Sequence, residues 1–475
     1  MRFALALAVL ALPGLAFAQA VLPSTPAGEA ARAYLEALNA RDRATAAAFI
    51  KDRFPTSPID GDGFVGFGRQ VGGFDLVRVE TATPTTLTAL VRERYGEGYA
   101  RLEIQTDPAA PGQIKRLDAR VMPRPAEIPA DPRLDDAALA KAVADKLALM
   151  GEDYSGVVLI ARRGKPFAVF AQGLADRERK IPITQATRFR VGSMNKMHTA
   201  VAVMQLAEAG KLDLQAPLAA YLKDYPNVDW ARKVTLHQLL THTGGAGDFF
   251  GPEYDKNRDT LRTLQDYVVL HGARSPTFEP GAKWEYANYG YILLGRVIEV
   301  VSGQSYYEYV ADHIFKPAGM TGSGFEPETT AVPDRAVAYE HVGDAYKPAG
   351  GLPWRGTSAG GGYSTAEDFL KFAAALYDGR LLDAAHLKLM TSPQAEDGRG
   401  GKYGYGLFIR TAEPPMVAHG GGAAGMNGDL RILDGGEGVI VTLSNVAPPF
   451  LAGRISQFVA ERFSPQGERR PAIRP

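Results

Sequence analysis

Apolar and polar positions change period along this chain, and each change marks an element. Between Pro26 and about Phe54, Ala30, Ala33, Tyr34, Ala37 and Leu38 recur at helical spacing, and Ala44 to Ile50 carry a second stripe. Asn39 and Asp42 separate the two as stop and start signals. The period then falls to two. Phe74 to Ala82, Thr85 to Tyr95, Tyr99 to Thr106 and Gln113 to Val121 read as strands, two of them joined across Gly96-Glu97-Gly98. Ala100, Leu102, Ile104 and Thr106 alternate with Tyr99, Arg101, Glu103 and Gln105, as a sheet with one buried face requires.

Helices followed by a curled antiparallel sheet predict a small α+β domain over residues 19–122. The layout resembles the nuclear-transport-factor-like cone fold, although no specific motif accompanies it. No acid–base constellation falls in this stretch, so a structural or partner-contacting role is expected. Prolines at 123, 125, 129 and 132 then make a stiff linker over residues 123–134.

A second α+β pattern runs from 135 to 463, with a short tail at 464–475. Asp135 starts a helix with Leu139, Val143, Leu147 and Met150 on one face. Gly156 to Ala161 is an apolar core strand, joined through Arg163-Gly164-Lys165 to a partner at Phe167 to Gln172. A short strand at Phe189 to Val191 leads into Ser193. The following helix carries Val201, Ala202, Val203, Met204 and Leu206 on several faces, which predicts burial, and stops at Gly210. Asp429 to Leu433 and Gly438 to Leu443 are strand-like.

Composition adds constraints. The 475 residues suit one large domain plus a smaller one, and Lys plus Arg equals Asp plus Glu at 53 each. No global field therefore favours nucleic acid or an anionic surface. There is no cysteine, which excludes disulfides, thiolate metal sites and a cysteine nucleophile. Met1 to Ala18 read as a secretory signal, with an apolar run from Phe3 to Leu12 and an A-x-A site at Ala16 to Ala18. After its cleavage no apolar run reaches membrane-spanning length, so a periplasmic or secreted address is expected. The pattern specifies no oligomeric state.

Chemistry concentrates in three places. Ser193 and Lys196 form an S-x-x-K at a helix start, one turn apart, where the lysine can deprotonate the hydroxyl. A polar pair at the mouth of a buried helix is costly unless it is hydrogen-bonded and used. Tyr286-Ala287-Asn288 can project a phenol and an amide into a common cavity. The phenol works as a base only if a cation such as Lys196 depresses its pKa from about 10. His419-Gly420-Gly421-Gly422 puts glycines beside an apolar strand, where backbone N–H groups can hold an oxyanion. His237 and His242 are five apart, the wrong offset for a metal pair on one helix face, so a loop role is expected. Gly356-Thr357-Ser358-Ala359-Gly360 matches the G-x-S-x-G nucleophile elbow, but the proline- and glycine-rich residues before it cannot form the strand an elbow needs.

The three motifs, in this order, resemble the serine β-lactamase and penicillin-binding-protein superfamily, in particular its class C β-lactamase-related esterases and D-Ala-D-Ala carboxypeptidases. Leu239 to Gly245, Gly290 to Gly303 and Gly360 to Asp368 also resemble this branch, and the likeness covers roughly residues 135 to 463. It implies an antiparallel sheet flanked by helices with a helical subdomain, and acyl-enzyme chemistry without metal or organic cofactor. It further implies catalytic roles for Ser193, Lys196 and Tyr286 and substrate contacts from Asn288, His419, Gly421 and Gly422, with an oxyanion hole at the N–H groups of Ser193 and Gly422. Whether Lys196 or Tyr286 is the base stays open.

Many β-lactamases have a lysine where this chain has His419. A neutral histidine offers no permanent charge to the carboxylate that β-lactams and peptide C-termini carry, so small esters or amides rank above β-lactams as substrates, unless Arg410 or Arg431 supplies the cation. Two alternatives remain: a β-lactamase or D-Ala-D-Ala carboxypeptidase, and a non-catalytic peptidoglycan-binding or assembly module.

Overall fold

In the larger part of the molecule, the run read as a core strand lies near one edge of an eight-stranded sheet. The computed structural model describes residues 21–465 apart from 344 and 399, so the segment read as a secretory signal, 1–18, and most of the tail lie outside the described residues. The chain divides into two units, 1–128 and 129–475.

The first unit has α1 (Pro26–Ala40), α2 (Arg43–Arg53) and α3 (Gly61–Val71) ahead of a four-stranded antiparallel meander. Its strands are β1 (Phe74–Ala82), β2 (Thr86–Glu93), β3 (Tyr99–Asp107) and β4 (Ala110–Met122). Thr25, Asp42 and Asp60 cap the three helices by accepting from backbone N–H groups. Helix α3 has no counterpart in the periodicity reading, because four glycines in eleven residues depress its intrinsic propensity. Tertiary contact overrides that. Phe64, Val65 and Val71 join the core of this unit, and a Cβ built on Gly68 would stand 2.9 Å from the Leu38 carbonyl oxygen. The close helix approach therefore needs a glycine there.

The second unit opens with α4 (Asp136–Met150), capped by Asp135 and buried through Leu139, Val143, Leu147 and Met150. Strands β5 (Gly156–Arg162) and β6 (Lys165–Gln172) form the hairpin, whose turn residues Arg163 and Gly164 both have positive φ, at 50° and 75°. Next come the buried α5 (Lys196–Glu208), α6 (Asn288–Ser302) and α7 (Ala366–Tyr377). The sheet is completed by β7 (Ala395–Glu396), β8 (Lys402–Tyr403), β9 (Phe408–Arg410), β10 (Met416–Ala423), β11 (Met426–Leu433) and β12 (Gly438–Ser444), and α8 (Ala452–Arg462) follows. Its order is β7-β8-β9-β10-β11-β12-β5-β6, antiparallel throughout.

Every residue of β12 is buried, because helices cover both faces of the sheet. Val439, Val441 and Leu443 pair with Ala161, Leu159 and Val157 of β5, and all six enter the core beneath α5 and α7. On the other face Ser456 of α8 donates to the Thr442 hydroxyl at 3.0 Å. This is an antiparallel sheet flanked by helices, as the resemblance implies.

Gly156 tests that sheet. A Cβ there would lie 1.9 Å from the Leu443 carbonyl oxygen, a backbone wall that cannot rotate away. Gly156→Ala is expected to lower the unfolding free energy by about 2 kcal/mol, measured by denaturant titration.

Candidate active site

Ser193 does not sit on an α-helix. It lies half-buried in a one-turn 3-10 segment, Gly192–Asn195, and α5 begins only at Lys196. The tighter winding eclipses positions i and i+3, so the two side chains meet more directly than on an α-helix. The Lys196 Nζ donates to Ser193 Oγ at 3.2 Å. It also donates to Asn288 Oδ1 at 2.7 Å and to the Ala359 carbonyl at 2.5 Å.

Lys196 is fully buried, and that burial pushes its pKa down to about 7, against an upward pull from Asp248. The amine lies 4.7 Å from the centre of the Tyr286 ring and 5.3 Å from that of Tyr291. Tyr286 departs from expectation. Burial raises its phenol well above the ordinary tyrosine range, and the Ser193 side chain only partly offsets this. A depression of this phenol by the neighbouring amine is not seen.

Asn288 begins α6, and both ends of its amide are engaged. Its Oδ1 accepts from Lys196, and its Nδ2 donates to Asp248 Oδ2 at 2.8 Å. The G-x-S-x-G stretch has a different use from a nucleophile elbow. Ser358 is buried, packed where a Gly295 Cβ would be. The carbonyls around it form a strip of acceptors: Thr357 takes the Asn195 amide at 2.6 Å, Ser358 the Thr199 hydroxyl at 2.7 Å, and Ala359 the Lys196 amine.

Strand β10 runs beside the Ser193 turn at backbone distance. A Cβ on Gly421 would lie 2.0 Å from the Val191 carbonyl oxygen and 3.0 Å from the Ser193 nitrogen, so only glycine fits. The Gly422 nitrogen is 3.1 Å from the point where a Gly192 Cβ would stand. The N–H groups of Ser193 and Gly422 are thus brought to adjacent backbone. Asn427 holds the strand by donating to the Gly421 carbonyl at 3.1 Å while accepting from Ala452 N at 2.7 Å. The Phe450 ring lies against Gly422 and is 42 % exposed.

His419 faces inward. It is 2 % exposed, and both ring nitrogens are used. A chain of hydrogen bonds sets its tautomer. The Ala287 N–H donates to His242 Nδ1 at 3.1 Å, so His242 Nε2 carries the proton and donates to the Tyr403 oxygen at 3.2 Å. Tyr403 then donates to His419 Nε2 at 3.2 Å, and His419 Nδ1 donates to the Gly420 carbonyl at 2.6 Å. Every member is neutral. Burial pushes His419 down to about 3, helped by the Lys196 charge, and pushes His242 well below its ordinary value. The loop role expected of His242 is therefore a link between the Tyr286 segment and β10. His237 is separate and bonds the Tyr405 hydroxyl at 2.8 Å.

Asp248, Tyr403, Phe450 and Ala359 belong to this site and had not been singled out from the sequence. Ala359 lies within the G-x-S-x-G match but contributes only its carbonyl, and the other three fall in no catalytic spacing pattern. Only the position of Asp248, just beyond the glycine-rich end of the Leu239–Gly245 phrase, could have pointed to it.

A family model described as Beta-lactamase matches residues 139–461. The putative penicillin-binding protein PbpX of Bacillus subtilis (strain 168) is 32 % identical over 307 residues, spanning 64 % of this chain and 73 % of that protein. Esterase EstB of Burkholderia gladioli is 36 % identical over 219 residues, spanning 42 % of this chain and 56 % of that protein. A solved penicillin-binding protein from Bacillus halodurans superposes with a TM-score of 0.60 at 31 % identity, covering 68 % of this chain and 98 % of that one.

Two outcomes test the hydrogen-bonded chain. Tyr403→Phe leaves a buried donor and a buried acceptor unpaired and should cost about 2 kcal/mol in denaturant unfolding. The acid side follows from the sign of the shift. The folded pKa of His419 lies below the ordinary histidine value of about 6.5, so its contribution is whole above about 6.5 and is lost as pH falls toward about 3. Stability should decline by about 1.4 kcal/mol per pH unit from this residue across that window, read from unfolding curves at stepped pH.

Proposed function

Because the chain belongs to the beta-lactamase family and is a serine hydrolase of that fold, we propose that Ser193 is its nucleophile, Lys196 its base, and small uncharged esters or amides its substrates. The observation that carries the substrate reading is the state of the cations beside β10. His419 is neutral and internally bonded. Arg410 donates to the Pro414 carbonyl and pairs with Glu461 at 3.2 Å. Arg431 pairs with Asp429 at 2.8 Å, bonds Gln457, and donates to the Gly453 carbonyl at 3.0 Å. Asp429, the ion-pair partner of Arg431, stands opposite Gly420 in the ladder. A substrate carboxylate arriving here meets none of the three candidates ready to pair with it.

The opposite pKa shifts of the two candidate bases support the assignment of roles. Near pH 7 a large share of Lys196 is the neutral amine, whereas Tyr286 keeps its proton. Lys196 takes the Ser193 proton as Oγ bonds the acyl carbon. The resulting oxyanion is held by the N–H groups of Ser193 and Gly422. The proton passes to the leaving alkoxide or amine, with the Tyr286 phenol as donor, and the bond to the leaving group breaks. Water then attacks the acyl-enzyme, gives its proton through the same groups, and frees Ser193. Asn288 borders the acyl pocket, and Gly421 allows the close approach of β10.

The signal at residues 1–18 supports export, tested by N-terminal sequencing of the exported protein, which should begin near residue 19. The chemical test is a rate panel of nitrocefin, short-chain p-nitrophenyl esters and a D-Ala-D-Ala peptide, with fluorophosphonate labelling. The esters should dominate, and Ser193→Ala should lose the label and about a thousandfold or more in kcat/KM. A dominant nitrocefin or peptide rate would overturn the substrate reading; no label and no turnover would point to a binding module. Since the neutral amine is the active form, kcat/KM should rise through an acidic limb near pH 7, falling about tenfold per unit below it.

A further inference from the structure

We propose that Asp248 is a positioning residue that aims the Lys196 lone pair at Ser193 by holding the Asn288 amide in one orientation. The inference rests on Ser193 and Lys196 being nucleophile and base. A protonated Lys196 has three N–H bonds, and its amine has three partners: Ser193 Oγ, Asn288 Oδ1 and the Ala359 carbonyl. A neutral Lys196 has two N–H bonds and one lone pair. Two of the three partners are acceptors alone, provided Asn288 presents its oxygen. Both N–H bonds then go to Asn288 and Ala359, and the lone pair is left facing the Ser193 hydroxyl, the one partner that can donate.

That arrangement fails if the Asn288 amide turns over. Its NH2 would face Lys196 and take the lone pair, leaving Ser193 with an N–H donor instead of a base. The Ala359 carbonyl is backbone and cannot reverse, so the amide of Asn288 is the reversible element. Asp248 decides which way it points. Its carboxylate only accepts, so it must be met by the Asn288 nitrogen, at 2.8 Å. The carboxylate is itself fixed, because Oδ1 accepts from the N–H groups of Phe249 at 2.7 Å and Phe250 at 3.1 Å. The result is a directed path from Asp248 through Asn288 and Lys196 to Ser193.

Asp248 also raises the Lys196 pKa against burial. The other titratable groups around the amine are Tyr286 and Tyr291, which burial keeps protonated, and His242 and His419, which burial keeps neutral. None of these titrates near pH 7, so a moved acidic limb reports on Lys196.

The experiment compares p-nitrophenyl butyrate kinetics from pH 5 to 9 for the full chain and for Asp248→Asn, Asp248→Ala and Asp248→Glu, with Ser193→Ala as control. Asp248→Ala should lower kcat about tenfold or more with KM within about twofold, because the base is misaimed while substrate binding is kept. Asp248→Asn, nearly isosteric, should fold even if the alanine variant does not. It removes the charge, so the acidic limb should move to lower pH by roughly half a unit or more, the shift being reduced by solvent screening at this exposed carboxylate. Asp248→Glu should keep the limb in place. A role confined to the Phe249–Phe250 turn would lower thermal stability without moving the limb. An unmoved limb in Asp248→Asn, a limb in Asp248→Glu that follows Asp248→Asn, or a raised KM at constant kcat in Asp248→Ala would overturn the proposal. Hydrolysis that survives Ser193→Ala would instead remove the serine reading beneath it.

Discussion

Everything in the larger unit is arranged around one buried amine. Placing an ammonium where water cannot reach costs several kcal/mol unless every N–H finds an acceptor. The fold meets that demand with three oxygens drawn from three separated segments: Ser193 from the 3-10 turn, Asn288 from the start of α6, and Ala359 from a glycine-rich loop. None of these segments is free to shift. The turn is pinned against β10 by glycines that admit no side chain, and the loop is held to the turn through Asn195 and to α5 through Thr199. Desolvation is the largest influence on Lys196 and pushes it toward neutrality, so the constraint that organises the packing also sets the protonation of the amine.

The same low-dielectric surroundings govern the groups around it. Two histidines and a tyrosine lie within one hydrogen-bonded chain, and each stays uncharged because burial outweighs any partner. A lysine in the place of His419 would bring a permanent charge to the third motif. Here that position is a neutral strut joining Tyr403 to the backbone of β10. Arg410 and Arg431, the other two candidates for that charge, are paired with Glu461 and Asp429. The charge presented beside β10 thus depends on how the cations are paired as much as on which residues are present.

Where the periodicity reading and the structure part, tertiary contact explains the difference. Helix α3 is glycine-rich and so weak on propensity alone, yet it forms because three of its apolar side chains complete a core and Gly68 lets it approach α1 closely. The Ser193 segment carries the pattern of a helix start but winds as a 3-10 turn, bent by its contact with β10. Tyr286 looks like a base beside a cation. Burial of the phenol raises its pKa, although the Lys196 amine lies 4.7 Å from the ring centre.

By itself the sequence determined the helix and strand periods of both units, the strand pair at Gly156–Gln172, and the three motifs that name the chemistry. All of these are signals of local spacing, legible because side-chain direction repeats with a fixed period along the chain. Only the tertiary structure decided how the motifs cooperate. Lys196 meets Asn288 across 92 positions and Ala359 across 163, and Asp248 reaches Asn288 across 40. Desolvation, tautomer and the pairing of arginines depend on such distant contacts. No local spacing pattern encodes them, because each is set by what the fold packs around a group and how much water it leaves there.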